Sequence, residues 1–391
     1  MPTSDSQFRF LEDRTKISIA DRAFLAQAAF TAAAVGDTVT ATFDTVGGAS
    51  VDWLIPGMVV SVGTVDTGTA QPEWCTVRIE SVVDSGAYST AQVRTTAKSS
   101  AAALTVIDNT KCTVIGTAFE EGTGAPDVWS QKLDNDYGYT QIFKTACEMT
   151  NTSRATVYRG YSDEWQRIWN LKLREHKVDI ERAMLFGMRG QTNSISYTDG
   201  IVGHIIANSQ AELADDTAQM SYNEDKGYLK TIQSSNWSYD SLLSDFEVIF
   251  DPARGGSGGK LALASLPVVS HFNKLGGFVS SSIDGTPGNY NFERSQGAFG
   301  HKVMKIETIH GDLSMVKEPL FRGNSAGFLA MVDLDHVSYR PLVGNGINRD
   351  TSITTNVQQA DEDLRKDMIL TEAGLEVSLP ETHALIHLQG V

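Results

Sequence analysis

The chain has 391 residues, of which 41% are hydrophobic and 20% charged, and its formal net charge is −16. This length allows two or three domains, and no window approaches the eighteen uninterrupted apolar residues of a membrane span. The acidic excess argues against a protein whose main task is to grip nucleic acid, since binding phosphates requires clustered Lys and Arg. It is compatible with a wall that encloses nucleic acid without adhering to it.

The N-terminus and the cysteines favour synthesis in a reducing cytoplasm. The first residues, MPTSDSQFRFLEDRTK, lack the apolar segment of a signal peptide. Cys75, Cys112 and Cys147 are odd in number and scattered, so they predict neither a disulfide framework nor a zinc site.

Residues 1–35 are predicted to form an N-terminal arm. The alternating run Gln7–Leu11 is interpreted as an extension that becomes ordered by lying on another element. The Ala-rich run that follows, AFLAQAAFTAAAVGD, favours a short helix or a pliable arm.

Residues 36–118 are predicted to form an inserted β-domain. Thr, Val, Ser and Gly dominate, and turn residues such as Gly47-Gly48 and Pro56-Gly57 separate short alternating runs. Six strands are predicted, at 38–43, 58–62, 75–83, 91–96, 104–107 and 112–117. This spacing is typical of a small antiparallel barrel or sandwich.

Residues 119–160 are predicted to form an extended-loop hairpin. Its strands would be Tyr139–Glu148 and Arg154–Tyr158, joined by a turn at residues 150–152. A two-stranded hairpin is poorly stable alone. Much of its apolar surface is therefore expected to be covered only by a neighbouring subunit.

The longest run with helical periodicity is Ser162–Gly190, within the segment 161–194. Ser162 is the predicted N-cap and Gly190 the predicted terminator. Such a helix would be roughly 40 Å long. Its apolar stripe is predicted to face the closing strands, 327–341 and 368–388; the stripe comprises Trp165, Ile168, Trp169, Leu173, Ile180, Met184 and Gly187.

Residues 195–325 favour an α/β section and residues 326–391 a set of closing β-strands. The central section has a strand or turn at Gly200–Ile206 and a helix over Ser238–Phe250 capped by Ser238. A strand follows at Lys260–Ala264, then a helix opening at Ser265-Leu266-Pro267, with proline in the first turn. Further strands are predicted at 303–309, 327–334, 337–341, 368–376 and 383–388.

The glycine run from Gly255 to Lys260 has two possible functional readings. It lacks the first glycine and the final Ser or Thr of a phosphate-binding loop. It formally matches G-x-S-x-G around Ser257, but a nucleophile elbow needs a strand before it and a helix after it, and here the order is reversed. A flexible glycine loop is the favoured interpretation.

The other polar and aromatic candidates also favour structural roles. His383 and His387 are four apart in a strand, about 13 Å and too far for one metal. His310-Gly311-Asp312 and Asp333-Leu334-Asp335-His336 could each be half of an acid–base site, but neither has a predictable third partner. Trp165 and Trp169 favour core packing over ligand stacking. Arg174 with Asp179, and Lys177 with Glu181, are predicted ion pairs on the long helix. No catalytic, cofactor-binding or metal residue is therefore predicted.

The order of these elements resembles that of a tailed-phage major capsid protein, in the branch with a small N-terminal β-domain. The residues that carry the resemblance are Tyr139–Lys144 through Arg154, Leu171–Met188 with its Asp179–Ala183 core, and Leu370–Val377. The resemblance implies an α+β fold in which 119–160 is the extended loop, 161–194 the spine helix of a peripheral domain, 195–325 the axial domain and 326–391 the closing strands of the peripheral domain.

What the resemblance implies for function is self-assembly into pentamers and hexamers of an icosahedral head that encloses double-stranded DNA, without cofactors and without sequence-specific DNA binding. Copies of the chain are the implied partners, with scaffolding, portal and cement proteins left open and no membrane partner. The virion shell is the implied location. Two alternatives stay open: a virion decoration or adhesion protein that binds through 36–118, and a hydrolase that uses Ser257.

Overall fold

A computed structural model describes residues 2–12, 23–45, 50–51, 53–63, 73–126, 133–157, 159–160, 163–211, 227–251, 256–281, 292–296 and 302–390. The strands are β1 (Gln7–Glu12), β2 (Ala23–Ala26), β3 (Phe30–Ala32), β4 (Thr38–Asp44), β5 (Met58–Gly63), β6 (Trp74–Asp84), β7 (Ser89–Lys98), β8 (Leu104–Val106), β9 (Lys111–Thr117), β10 (Asp134–Tyr139), β11 (Gln141–Thr150), β12 (Gly190–Thr192), β13 (Ile195–Tyr197), β14 (Ser209–Ala211), β15 (Gly227–Gln233), β16 (Gly259–Ala264), β17 (Phe292–Gln296), β18 (Lys302–Glu307), β19 (Asp312–Lys317), β20 (Phe328–Val332), β21 (Val337–Pro341), β22 (Val343–Gly344), β23 (Ile347–Asn348), β24 (Ser352–Thr354), β25 (Leu364–Val377) and β26 (Ala384–Gln389). The helices are α1 (Asn151–Ala155), α2 (Glu164–Phe186), α3 (Ile201–Asn208), α4 (Tyr239–Ile249) and α5 (Leu266–Ser281).

The chain divides into two compact units. One comprises residues 14–132 with 213–224, and the other comprises 1–13, 133–212 and 225–391. The smaller unit is inserted between β1 and β10, two strands that pair with each other in the larger unit.

The smaller unit is a closed six-stranded barrel in the order β2-β4-β7-β6-β5-β9. Alternate residues of its strands point inward, so that the core consists of fully buried side chains such as Val60, Val77 and Phe43. Phe24 packs edge-on against Phe43 with ring centroids 4.9 Å apart. All six predicted strands are confirmed, as is the barrel form of the β-domain.

The prediction of an arm or helix over residues 23–37 is wrong. β2 closes the barrel between β4 and β9, while β3 pairs with β8 in a separate small sheet. Phe24 and Ala26, then Phe30 and Ala32, are buried at alternate positions. The many alanines hid this period-two pattern, because Ala carries a weak hydrophobic signal and is a strong helix former.

The first residues of the chain are held by the larger unit. β1 pairs antiparallel with β10 over Gln7–Glu12, and Thr3 forms a bridge with Leu342. The buried Glu12 accepts a hydrogen bond at Oε1 from the Leu379 backbone N–H, 2.9 Å away. Leu379 has a φ of +50°, an uncommon conformation for a residue with a side chain. The N-terminal extension therefore becomes ordered on its own chain.

The predicted hairpin in 119–160 is wrong. β11 pairs antiparallel with β25 along its whole length, from Gln141↔Ala373 to Thr150↔Leu364. Residues 151–155, read as a turn leading into a strand, form α1 with Thr150 as N-cap. Phe143, Cys147 and Met149 are buried on this chain, so the expectation that a neighbour alone covers this surface is wrong for β11. Residues 127–132, Tyr158 and Ser162 lie outside the described residues.

The four-stranded sheet, in the order β11-β25-β21 with β24 also on β25, supports α2. α2 begins after Asp163, whose side chain accepts from the Gln166 N–H, and it ends at Phe186 with Gly187 as C-cap. The predicted terminator Gly190 is therefore wrong. The helix packs on β11 and β25 through His176, whose two ring nitrogens lie 2.9 Å from the hydroxyls of Thr145 and Thr371.

The larger sheet has eight strands in the order β14-β15-β26-β20-β16-β19-β18-β17, with parallel and antiparallel pairs. Strands of the closing segment, β20 and β26, lie at its centre, so residues 326–391 serve both sheets. The helix at Tyr239–Ile249 with its Ser238 cap is confirmed. The strand or turn predicted at Gly200–Ile206 is wrong, since all of these residues after Gly200 lie in α3. There the burial of Val202, His204 and Ile205 overrides the strand preference of β-branched residues.

Candidate functional site

The glycine run near Ser257 forms a loop between α4 and β16. The Ser257 backbone N–H donates to Asp333 Oδ2 at 2.6 Å, and the Ser257 hydroxyl donates to the Gly259 carbonyl oxygen at 2.7 Å. A serine nucleophile needs a base within hydrogen-bond reach of its hydroxyl. Here the hydroxyl proton is directed to a backbone carbonyl and not to a base. The hydrogen bonds of Ser257 therefore hold the loop in place and do not activate the hydroxyl.

Behind this loop lies a buried polar cluster that the sequence did not bring together: Lys260, Asp333, Thr382 and His383. Lys260 Nζ donates to the Thr382 carbonyl oxygen at 2.5 Å. Burial alone would raise the pKa of Asp333, but backbone N–H groups of Ser257 and Asp335 and the charge of Lys260 hold that pKa below its ordinary value. Hydrogen bonds, and the opposite charges of Lys260 and Asp333, thus join β16, the end of β20 and the turn before β26.

His383 is held as a neutral ring within this cluster. Its Nδ1 accepts from the Asp333 N–H at 3.2 Å, and its Nε2 donates to the Ser378 carbonyl at 3.2 Å. Burial, and then the charge of Lys260, lower the pKa of His383 to about 3. A ring whose two nitrogens are taken by backbone groups has no free lone pair for general-base work.

Two further histidines, His336 and His204, have turn and packing roles. His336 lies in a 3-10 turn capped by Asp333, which accepts at Oδ1 from the Asp335 N–H at 3.1 Å. His204 lies 2.8 Å from Asp199 through Nδ1. Across the described ranges, no group of three or more His, Cys, Asp or Glu side chains is arranged to hold a metal ion.

The aromatic stripe of α2 is half-buried. The guanidinium of Arg365 lies 4.8 Å from the Trp165 ring centroid and that of Arg154 lies 6.0 Å from it, so two cations flank this indole. Trp169 is likewise half-buried, and the fully buried helix residues are His176 and Leu185. The predicted core packing of Trp165 and Trp169 is therefore only partly confirmed, since both side chains are half-buried.

The charges on α2 pair differently from the prediction. The ion pairs are Arg167–Glu164, Lys172–Glu175 and Arg182–Asp179, each three residues apart. The predicted pairs, Arg174 with Asp179 and Lys177 with Glu181, are therefore wrong. Exposed pairs of this kind contribute little to stability, and they leave the outer face of α2 polar and mixed in charge.

No described helix combines the length and the apolar character needed to cross a membrane. A long helix on a four-stranded sheet, a second sheet and an inserted barrel define an α+β protein, in which the polar clusters described above have packing roles. The chain belongs to the SU10 major capsid protein family, whose model matches residues 58–389. This confirms the resemblance to major capsid proteins.

A curated relative agrees with this family. The major capsid protein of Pseudomonas phage PaMx41 is 38% identical over 95 residues, which are 24% of this chain and 22% of that protein. The match thus spans about a fifth of the relative's length.

Two of the solved structures to which this chain is similar are phage capsids. The cyanophage A-1(L) capsid asymmetric unit has a TM-score of 0.47 at 10% identity, covering 69% of this chain and 84% of that chain. The mature capsid of bacteriophage PhiM1 has a TM-score of 0.46 at 14% identity, covering 71% and 80%. The family assignment rests on the sequence match.

Proposed function

We propose that this chain is the major head subunit of a tailed phage, that its copies form pentamers and hexamers of an icosahedral shell, and that the shell encloses double-stranded DNA. The observation that carries the proposal is the family match over residues 58–389. The net charge of −16 supports it, since a wall of this sign does not adhere to packaged phosphates. Its DNA contacts are then independent of sequence.

The domain roles are part of the proposal. The β1–β10 ribbon with the barrel is the extended portion, α2 with the four-stranded sheet is the peripheral portion, and the eight-stranded sheet is the axial portion. We place the barrel on a surface of the shell. Its core is formed by residues of its own unit, so its fold does not require burial against the rest of the wall. Scaffolding, portal and cement proteins are proposed as further partners.

Assembly can be tested on the purified chain by sucrose-gradient sedimentation after nuclease treatment. We expect a fast-sedimenting species of uniform size that contains only this chain. A chain that stays monomeric, at concentrations where its folded state is verified by circular dichroism, would overturn the proposal.

We also propose that the chain has no enzymatic role, because the Ser257 hydroxyl is directed to a backbone carbonyl. Ser257→Ala is expected to assemble as the wild type does and to support infection when supplied in the phage. Ser270→Ala is a matched control, since its hydroxyl also donates to a backbone carbonyl, that of Leu266 at 3.1 Å. Loss of infectivity in Ser257→Ala particles that assemble normally, with Ser270→Ala unaffected, would favour the hydrolase.

A further inference from the structure

β11 lies at the edge of the four-stranded sheet. Its ten residues pair with β25 on one side, and β25 is occupied on its other side by β21 and β24. In the described part of the chain, β11 has no strand neighbour on its second side. An edge strand presents a row of N–H and C=O groups to which another strand can bind.

The two faces of β11 differ sharply. Phe143, Cys147 and Met149 point toward α2 and are buried. On the opposite face Ile142 is 50% exposed, and Lys144, Ala146 and Glu148 are also exposed. The strand is therefore anchored through one face, while its free edge and its other face stay accessible among the described residues.

The exposed charges of β11 complement those of a second β11 strand that runs in the opposite direction. In an antiparallel pair of two β11 strands centred on Ala146, Lys144 of each copy lies directly opposite Glu148 of the other. Ile142 then lies opposite Thr150. Opposite charges placed directly across an antiparallel pair are stabilising, and like charges there are destabilising.

The charge state of the two residues fits this arrangement. Lys144 has no ion-pair partner within the described residues. Glu148 contacts Lys366 of its own chain at 3.0 Å on a half-exposed side chain, and its second carboxylate oxygen can accept from another cation. A lone lysine on an edge strand would guard against pairing. A lysine four residues from a glutamate instead selects one register of self-pairing.

We propose that β11 is a two-fold contact between copies of this chain, in which two β11 strands pair antiparallel around Ala146 and join two four-stranded sheets. The contact is isologous, as a two-fold axis requires, and the axis passes through the sheet so that both α2 helices lie on the same side. This inference rests on the proposed shell function and names one contact within it.

Cysteine substitution tests the register. In Ala146→Cys the two introduced residues face each other with Cβ atoms about 5 Å apart, within reach of a disulfide after small adjustments. Ile142→Cys is the matched control on the same exposed face, since two copies of residue 142 would lie about 26 Å apart in this register. We expect oxidised Ala146→Cys particles to run mainly as covalent dimers on non-reducing gels, and Ile142→Cys particles to run as monomers.

A charge exchange gives an independent readout. Lys144→Glu places two carboxylates opposite each other at both ends of the contact and is expected to reduce the yield of particles at least tenfold. Adding Glu148→Lys restores the opposite charges and should recover most of that yield. The difference in yield between the single and the double variant should become smaller in high salt, because salt screens exposed charges.

The outcomes separate the two proposals. Suppose that the wild type forms particles. If oxidised Ala146→Cys then runs as a monomer on the gel, or if Ile142→Cys crosslinks equally well, the β11 contact is overturned and the shell function is left intact. A wild-type chain that forms no particles overturns the shell function, and the gel of the oxidised variants still decides whether β11 pairs in solution.

Discussion

His383 illustrates how single residues of this protein use polar chemistry for packing. Its ring is 1% exposed and bridges the Asp333 N–H and the Ser378 carbonyl. Asp245 has a similar role on α4: it accepts from the Tyr228 hydroxyl, the Lys230 amine and the Trp237 indole N–H, at 2.7 to 2.9 Å. His383 thus joins segments that are far apart in the chain, whereas Asp245 joins α4 to β15 and to the turn that precedes the helix.

The buried His383 should make stability depend on pH. Its pKa is about 3 in the folded chain and about 6.5 when unfolded. The unfolded state therefore takes up a proton below about pH 6.5 that the folded state does not. Stability should be full above that pH and fall on acidification by up to about 1.4 kcal/mol per pH unit.

This contribution can be isolated by urea unfolding of wild type and His383→Asn at pH 7.5, 6.5 and 5.5. Asn does not titrate, so the free energy of unfolding of His383→Asn should fall less steeply with decreasing pH than that of the wild type. His176, whose pKa is also lowered by burial, contributes equally to both proteins. Equal slopes would show that His383 protonates as readily in the folded chain as in the unfolded one.

Replacing Asp245 should be costly. Asp245→Ala removes the acceptor of three donors in a buried site, and we expect a loss of about 3 kcal/mol in the free energy of unfolding. Asp240→Ala, on the exposed first turn of the same helix, should cost under about 1 kcal/mol. Chemical denaturation of both variants measures the difference, and similar losses would contradict the role assigned to Asp245.

At the scale of elements, the crossing of α2 and α3 depends on the absence of side chains. The Gly200 N–H donates to the Gly187 carbonyl at 3.0 Å. A Cβ at Gly203 would lie 2.0 Å from that carbonyl oxygen. The two helices therefore approach at backbone distance, and this contact sets the position of α3 under the eight-stranded sheet.

Gly203→Ala should destabilise the chain although Ala favours a helix by about 1 kcal/mol, because the added methyl collides with backbone that cannot rotate away. We expect a net loss of at least about 2 kcal/mol in thermal or urea unfolding. Gly190→Ala, where an added Cβ meets nothing within 4 Å, is the control and should change stability little. An unchanged Gly203→Ala protein would mean that the helices can separate.

The elements that sequence predicted correctly are those with local signals. The barrel strands that were predicted carry alternating apolar residues, and α4 has both a capping serine and a helical stripe. β11 was assigned the wrong partner because its true partner, β25, lies more than 200 residues further on, and period two does not specify which strand pairs with which. The cluster around His383 was missed for the same reason, since Lys260, Asp333 and His383 meet only in the folded sheet.

At the scale of the whole molecule, the chain combines two units with separate cores and a net charge of −16. Among the described residues, the barrel core consists of side chains between residues 24 and 114. Residues 14–132 expressed by themselves should therefore unfold cooperatively, as measured by circular dichroism with heating. A non-cooperative, unfolded fragment would show that the barrel depends on the larger unit.

The shell function is tested most directly by electron cryomicroscopy of the phage particle that contains this chain. We expect density for α2 on its four-stranded sheet, and for the six-stranded barrel, in every position of the icosahedral wall, grouped in fives at the vertices and in sixes elsewhere. A wall whose density is built by another chain, with this one absent or attached only to its outer surface, would contradict the proposal and favour a decoration protein.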